Sequence, residues 1–225
     1  MLYEVAHFVK NKLGFLWDAV EWGNETVFVL QHKKGMKDIP EILRKVSNDT
    51  LTVRQTTDND VYGLVTFFSE QPEEAFMFFK PHGFDEKSVK KVLRNKSFMT
   101  FVVTEGDLIV GYFFLRSFMN GKCFKGRMVD YRQRGKGIAK FMGIAINNVA
   151  THLGMRIYTT ISPENYASLA STKAVNDIKI VKTLENGYYY IECTPKKPVG
   201  GVKFSITLKS EYEELSLRRG FLYAA

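Results

Sequence analysis

The stretch with the clearest chemistry is YRQRGKGIAK, residues 131–140, which places four basic side chains and two glycines within ten residues. A strand-like pattern precedes it and an apolar helical pattern follows it. A turn from a strand into a helix presents unpaired backbone N–H groups and the positive end of the helix dipole, which together bind anions. Gly135 and Gly137 remove Cβ atoms where a phosphate would approach, and Arg134 and Lys136 add positive charge. The stretch therefore predicts a pyrophosphate-binding turn.

Two familiar phosphate loops do not match this stretch. The Walker pattern continues from its second glycine into Lys and then Ser or Thr, whereas Gly137 is followed by Ile138. The dinucleotide fingerprint needs three spaced glycines early in a βαβ unit, and these are missing too. A basic, solvated glycine turn without a ligand is the alternative interpretation.

Residues 134–139 resemble the acetyl-CoA loop of the GNAT superfamily of N-acetyltransferases, whose pattern is Arg or Gln, two residues, Gly, one residue, then Gly or Ala. The order of predicted elements resembles the same family over residues 51–194. The resemblance implies acetyl-CoA as co-substrate and no metal. The residues implied to hold the CoA pyrophosphate are Arg134, Gly135, Lys136, Gly137, Ile138 and Ala139.

The resemblance also implies a path for the pantetheine arm. Met128 and Val129, which end the strand before the loop, would present backbone groups to the pantetheine and the thioester carbonyl. The next strand, RIYTTIS, would splay away from this strand and admit the arm, an extended amide chain that can pair with a strand edge. Asn165 matches the family's cofactor-contacting Asn, with Ser168 nearby, although an Asn here can equally cap the chain after the strand.

The residues for proton transfer are less well defined. Many family members carry a Tyr about seven residues beyond this Asn that protonates the departing thiolate, whereas this chain has Thr172 there. Thr172 is a catalytic candidate by position, but neither it nor the adjacent Ser171 is as acidic as a phenol, so the general acid is otherwise absent, a water or another tyrosine such as Tyr166. His82 is the candidate base, since its loop lies in the region that usually shapes the acceptor site, although a solvated His is the alternative. Asp130 is the acid that ends the loop-bearing strand.

The remaining sequence predicts an α/β (α+β) fold with a mixed, mostly antiparallel twisted sheet flanked by helices. Residues 1–50 read as an N-terminal αβ extension, with an amphipathic helix from Leu2 to Leu16 and a strand over residues 26–32. Residues 51–195 form the GNAT-like domain, with a hairpin around residues 105–107, a helix entered through Pro163 and a last hairpin around Asn186. Residues 196–225 form a tail predicted as strand or helix.

Composition bounds the partners. With 32 Lys and Arg against 24 Asp and Glu the net charge is +8, which favours an anionic partner. The two cysteines, Cys123 and Cys193, predict free thiols in a reducing, cytoplasmic protein. No run of apolar residues approaches membrane-spanning length. No nucleic-acid motif accompanies the basic pairs Lys90–Lys91 and Arg218–Arg219, and a homodimer stays open as an oligomeric state.

The predicted function is acetyl-CoA-dependent N-acetylation of a small-molecule primary amine. FFKPHGFDEKSVKKVL and GYFFLRSFMNGKCFKGRMVD are similar to acetyltransferases of surface-polysaccharide gene clusters, which implies an aminosugar or a nucleotide-linked aminosugar. The alternatives are acetylation of a peptide, a protein or another metabolite, and a CoA-binding module without turnover.

Overall fold

A computed structural model describes residues 14–196, with side chains from residue 19 onward. Most of the predicted helix from Leu2 to Leu16 and the predicted strand or helix of the tail lie outside these residues. Within them, six α-helices and seven strands form one layered unit. The helices are α1 (Gly14–Met36), α2 (Ile39–Val46), α3 (Val61–Ser69), α4 (Glu86–Arg94), α5 (Ile138–His152) and α6 (Tyr166–Lys173). None of these described helices is long and apolar enough to cross a membrane.

The seven strands of the described chain belong to a single sheet in the order β1-β2-β3-β4-β5-β7-β6. The strands are β1 (Thr52–Gln55), β2 (Phe98–Glu105), β3 (Leu108–Ser117), β4 (Lys122–Val129), β5 (Arg156–Ile161), β6 (Asn176–Thr183) and β7 (Tyr189–Pro195). All neighbours are antiparallel except β4 and β5, which run parallel. The predicted mixed, mostly antiparallel sheet and both predicted hairpins are confirmed.

The sheet separates two hydrophobic clusters. On one face, α1, α2 and α5 pack through residues such as Phe28, Leu43 and Ile146. On the other face, α3 and α4 pack around an aromatic group that includes Phe68 and Tyr112. Because both faces are covered, the central strands read as long apolar runs instead of alternating patterns.

Two local predictions are wrong. Residues 26–32, predicted as a strand, lie inside α1, because the residues that contact the sheet recur at helical spacing, with Phe28 buried and Asn24 bonded to the Ser117 carbonyl. The helix predicted to enter through Pro163 begins at Tyr166, since Asn165 caps it by accepting a hydrogen bond from the Ser168 amide.

Candidate active site

The loop between β4 and α5 forms the turn that the sequence predicts. A short 3₁₀ segment (Tyr131–Gln133) follows β4, and Gly135 and Gly137 then adopt φ values of 80° and 81°, in the left-handed region that favours glycine. Gly137 is the N-cap of α5, and the first intrahelical bond runs from the Phe141 amide to the Gly137 carbonyl. The amides of Ile138 and Ala139 in the first turn are therefore available to an anion.

The beginning of this loop is fixed by Asp130, whose carboxylate is fully buried. It accepts hydrogen bonds from the Arg132 amide at 2.8 Å and from the Arg132 guanidinium at 3.0 and 2.7 Å. Burial alone would raise its pKa, but the hydrogen bonds and charge of Arg132 hold the pKa below its usual value. The Gln71 side chain also accepts a bond from the Tyr131 amide at 3.0 Å. Asp130 thus orders the loop, and its oxygens are engaged by Arg132.

Strands β4 and β5 separate as the family resemblance implies. Their parallel ladder pairs Lys122, Cys123 and Phe124 with Arg156, Ile157 and Tyr158 and ends there. Residues 125–129 continue to pair with β3 on the other side, so the β5-facing edge of this half of β4 lacks ladder partners among the described strands. At the point of separation the Thr159 hydroxyl donates to the Lys125 carbonyl at 3.2 Å. Two open strand edges thus border a gap that fits an extended amide chain.

A cleft of about 290 Å³ occupies this gap. Six of the predicted cofactor-binding residues line it, and so does the predicted catalytic residue Thr172. The six are Met128, Val129, Arg134, Ala139, Asn165 and Ser168. The other four predicted residues belong to the loop at the end of the cleft: Gly135, Lys136, Gly137 and Ile138. In this loop the Lys136 ammonium donates a hydrogen bond to the Gln133 side chain at 2.8 Å. Burial lowers the pKa of Arg134, and the charge of Asp130 opposes this shift.

Thr172 lies under the cleft in α6 and is only 1% exposed. Its hydroxyl accepts a hydrogen bond from the Arg127 guanidinium at 3.0 Å, and the Ser171 hydroxyl accepts another at 2.8 Å. Arg127 also donates to the Ala139 carbonyl at 2.8 Å and so ties α5 to α6. Tyr166 is 77% exposed at the start of α6, whereas the tyrosine among the described cleft-lining residues is Tyr188.

His82 lies beside the cleft, within the aromatic cluster. Its Nδ1–H donates to the Gly83 carbonyl at 2.7 Å, and its Nε2 accepts from the Tyr112 hydroxyl at 2.8 Å. Burial lowers the pKa of the imidazole, and the Gly83 bond opposes this shift, so the neutral ring with this tautomer is favoured at pH 7. Lys80 and Pro81 line the cleft, but His82 is not among the lining residues that the structure describes.

Sequence reasoning missed two functional candidates on β4, Lys125 and Arg127, which both line the cleft. Their signal was available, because the period of two along a strand places both on the same face as Cys123. A free cysteine in a strand is ordinarily buried, so two cations on the face of Cys123 are unusual. Burial, with the neighbouring Arg127 charge, lowers the pKa of Lys125 to about 7. No group of three His, Cys, Asp or Glu side chains placed to hold a metal occurs within residues 14–196.

The chain is similar to known proteins in its structure but not in its sequence. No protein-family model matches the chain, and no curated protein sequence is similar to it. Among solved structures, the GNAT domain of S. lividans PAT superposes with a TM-score of 0.56 at 18% identity, over 63% of this chain and 89% of that one. AAC(6')-Ib, in complex with paromomycin and acetyl-CoA, superposes with a TM-score of 0.53 at 16% identity, over 66% of this chain and 94% of that one.

The same aminoglycoside acetyltransferase in complex with coenzyme A and kanamycin gives a TM-score of 0.53 at 15% identity, over 65% of this chain and 95% of that one. The seven described strands form one sheet in which β4 parts from β5, and the glycine turn connects β4 to α5. The chain therefore has the fold of the GNAT acetyltransferases.

Proposed function

We propose that the protein is an acetyl-CoA-dependent N-acetyltransferase that acts on a small-molecule primary amine. The observation that carries the proposal is the cleft between β4 and β5, which opens beside the left-handed glycine turn at the start of α5. This arrangement offers an anion site and an extended amide-binding edge in one continuous groove. Solved structures with the same fold hold acetyl-CoA or coenzyme A, which supports the same donor here.

In this proposal the loop binds the pyrophosphate through the amides of residues 134–139. Arg134 adds charge at the cleft, and the left-handed glycines orient the amides toward the ligand. The free edge of β4 after the Lys125 carbonyl pairs with the pantetheine amides, and Met128 and Val129 present backbone groups to the pantetheine and the thioester carbonyl. Backbone N–H groups placed at that carbonyl stabilise the oxyanion that forms during acyl transfer.

The reaction itself is a direct transfer. The acceptor amine attacks the thioester carbonyl, an N–C bond forms, the C–S bond breaks, and the CoA thiolate takes up a proton. The hydroxyl side chains that line the cleft include those of Ser171, Thr172 and Tyr188. We assign proton delivery to this group, with the Arg127 guanidinium favouring the anionic forms of Ser171 and Thr172. The amine loses its own proton to water, since none of the described lining residues is a carboxylate or histidine.

We infer that the acceptor is an aminosugar or a nucleotide-linked aminosugar. The similarity of two sequence segments to acetyltransferases of surface-polysaccharide gene clusters supports this class. Of the solved structures with the same fold, AAC(6')-Ib binds the aminoglycosides paromomycin and kanamycin, which shows that the fold can accept a small-molecule amine.

The first test is CoA thiol release from acetyl-CoA with aminosugars, sugar nucleotides, polyamines and peptides, alongside calorimetric titration of acetyl-CoA. We expect turnover with aminosugars. Turnover with peptides alone would move the acceptor to proteins, and binding without turnover on any amine would indicate a CoA-binding module.

The donor site has its own test, Gly137→Glu. A side chain at φ 81° is strained and its carboxylate would face the pyrophosphate, so we expect acetyl-CoA binding to be abolished. Gly121→Glu is the matched control, because Gly121 has φ 71° and open space around it in the turn between β3 and β4. Both variants should lose similar stability, and equal acetyl-CoA affinity in the two would contradict the proposed donor site.

A further inference from the structure

Lys125 and Arg127 form a pair of cations inside the cleft. Both lie on the half of β4 that has parted from β5, and both project toward the face that carries Cys123. Lys125 is only 6% exposed. Gly143 in α5 makes room for Arg127, because a Cβ there would lie 2.8 Å from an Arg127 guanidinium nitrogen.

Neither cation has an acidic partner within the described residues. Arg127 donates to three uncharged oxygens, those of Ala139, Ser171 and Thr172. Lys125 makes no side-chain hydrogen bond or ion pair with residues 19–196, the part of the chain whose side chains the structure describes. The nearby thiols of Cys123 and Cys193 cannot replace a carboxylate, since burial raises the pKa of both.

Charge in the rest of the cleft has the same sign. Four cations line it, Lys80, Lys125, Arg127 and Arg134, and none of the described lining residues is Asp or Glu. Buried charges in proteins are ordinarily paired, because an unpaired charge loses its hydration without compensation. Here the buried Lys125 and the half-buried Arg127 also repel each other. A ligand anion would relieve both costs.

The geometry points to an anion subsite centred on Lys125 and Arg127, which binds a carboxylate or phosphate group of the acceptor amine. This inference rests on the proposed function. Acetyl-CoA does not supply the anion, since its acetyl and pantetheine groups are uncharged and its pyrophosphate and 3′-phosphate both lie on the nucleotide side of the pantetheine, at the loop after Val129. Lys125 precedes Val129 by four strand residues, about 13 Å at 3.3 Å per residue. The same cations disfavour a polycationic acceptor.

The test uses the full-length protein saturated with CoA, so that the pyrophosphate loop is filled, and titrates it with inorganic phosphate by calorimetry. We expect saturable binding that weakens at least tenfold in Lys125→Met, which keeps the length of the side chain and removes its charge. Lys179→Met is the control, because Lys179 is exposed on β6 at the far edge of the sheet. Kinetics with glucosamine and glucosamine 6-phosphate should show at least a tenfold preference in kcat/KM for the phosphorylated amine, which Lys125→Met abolishes.

Each outcome separates the subsite from the transferase. Equal phosphate affinity in Lys125→Met and the wild type overturns the subsite, and so does acetylation of Lys125 itself, seen by peptide mass spectrometry. If phosphate binding depends on Lys125 but no amine causes release of the CoA thiol from acetyl-CoA, the subsite is supported and the transferase is overturned. If Lys125→Met does not fold, anhydride labelling of the wild type decides: phosphate should protect Lys125 and leave Lys179 reactive, and equal labelling of Lys125 with and without phosphate overturns the subsite.

Discussion

At the scale of single residues, Lys125 makes stability depend on pH in an unusual direction. Its folded-state pKa is lowered to about 7 by burial and by the facing Arg127 charge, with Cys123 and Cys193 as the other titratable groups nearby. An unfolded lysine keeps its proton to about pH 10.4. Between these values the unfolded chain binds more protons, so this residue's contribution to the free energy of unfolding rises with pH, by at most about 1.4 kcal/mol per unit.

We therefore predict that Lys125→Met raises the free energy of unfolding at pH 6 and that this gain shrinks at pH 9. Below pH 7 the wild type carries the full cost of a buried charge, whereas at pH 9 its amine is neutral. Urea denaturation of both proteins at the two pH values measures the difference. An equal difference at pH 6 and pH 9 would mean that Lys125 is solvated or paired.

Asp130 gives a second prediction about a residue that the sequence left open as catalytic. We expect Asp130→Asn to lower the free energy of unfolding by about 1–3 kcal/mol, because the amide turns a donor toward Arg132 and removes the charge that Arg132 faces. The pH dependence of turnover should stay unchanged. A pH–rate profile that loses its acidic limb in this variant would instead assign a proton-transfer role to Asp130.

At the scale of elements, the packing of α5 against β4 and α6 depends on Gly143. A Cβ there would lie 2.8 Å from both Arg127 and Val175, so we predict that Gly143→Ala costs about 1–3 kcal/mol. It should also weaken acetyl-CoA binding, because a displaced Arg127 loses its hydrogen bond to the Ala139 carbonyl in the first turn of α5. Gly23→Ala is the control: its Cβ would meet nothing within 4 Å in α1, and it should stabilise the protein by about 0.5–1 kcal/mol. Thermal unfolding and calorimetry compare the pair. A stabilised Gly143→Ala with full affinity would contradict this view.

The elements also show how far sequence reasoning reached. The hairpins, β4, the glycine turn and α5 were predicted correctly because turn residues and apolar periodicity are local signals. Residues 26–32 were wrongly predicted as a strand, because TVFVLQH is rich in residues that favour strands. The contacts that hold α1 against the sheet are partly polar and involve Glu21 and Asn24. Neither residue belongs to an apolar pattern. The period of two along β4 places Lys125 and Arg127 on one face, but tertiary structure was needed to show that none of the described acids pairs with them.

At the scale of the whole molecule, α1 and α2 share the core of the sheet. Phe28 of α1 and Leu43 of α2 belong to the same hydrophobic cluster as Val53 and Phe101. The Asn24 side chain donates to the Ser117 carbonyl at 2.8 Å and accepts from the Met119 amide at 3.0 Å. The hydrophobic core therefore extends across the boundary predicted near residue 50, where the sequence pattern changes. The division into units stays a prediction.

This packing predicts that α1 and the sheet unfold together. Phe28 is 1% exposed, so Phe28→Ala should lower the free energy of unfolding by about 3–5 kcal/mol and speed hydrogen exchange at the amides of β2 and β3 as well as in α1. Leu30→Ala, on the same helix but 76% exposed, should change stability by less than about 0.5 kcal/mol. Far-UV circular dichroism in urea should show one transition in all three proteins, because a shared core melts cooperatively. Two transitions, or sheet amides that exchange at the wild-type rate in Phe28→Ala, would show instead that α1 folds as a separate unit on the surface of the acetyltransferase fold.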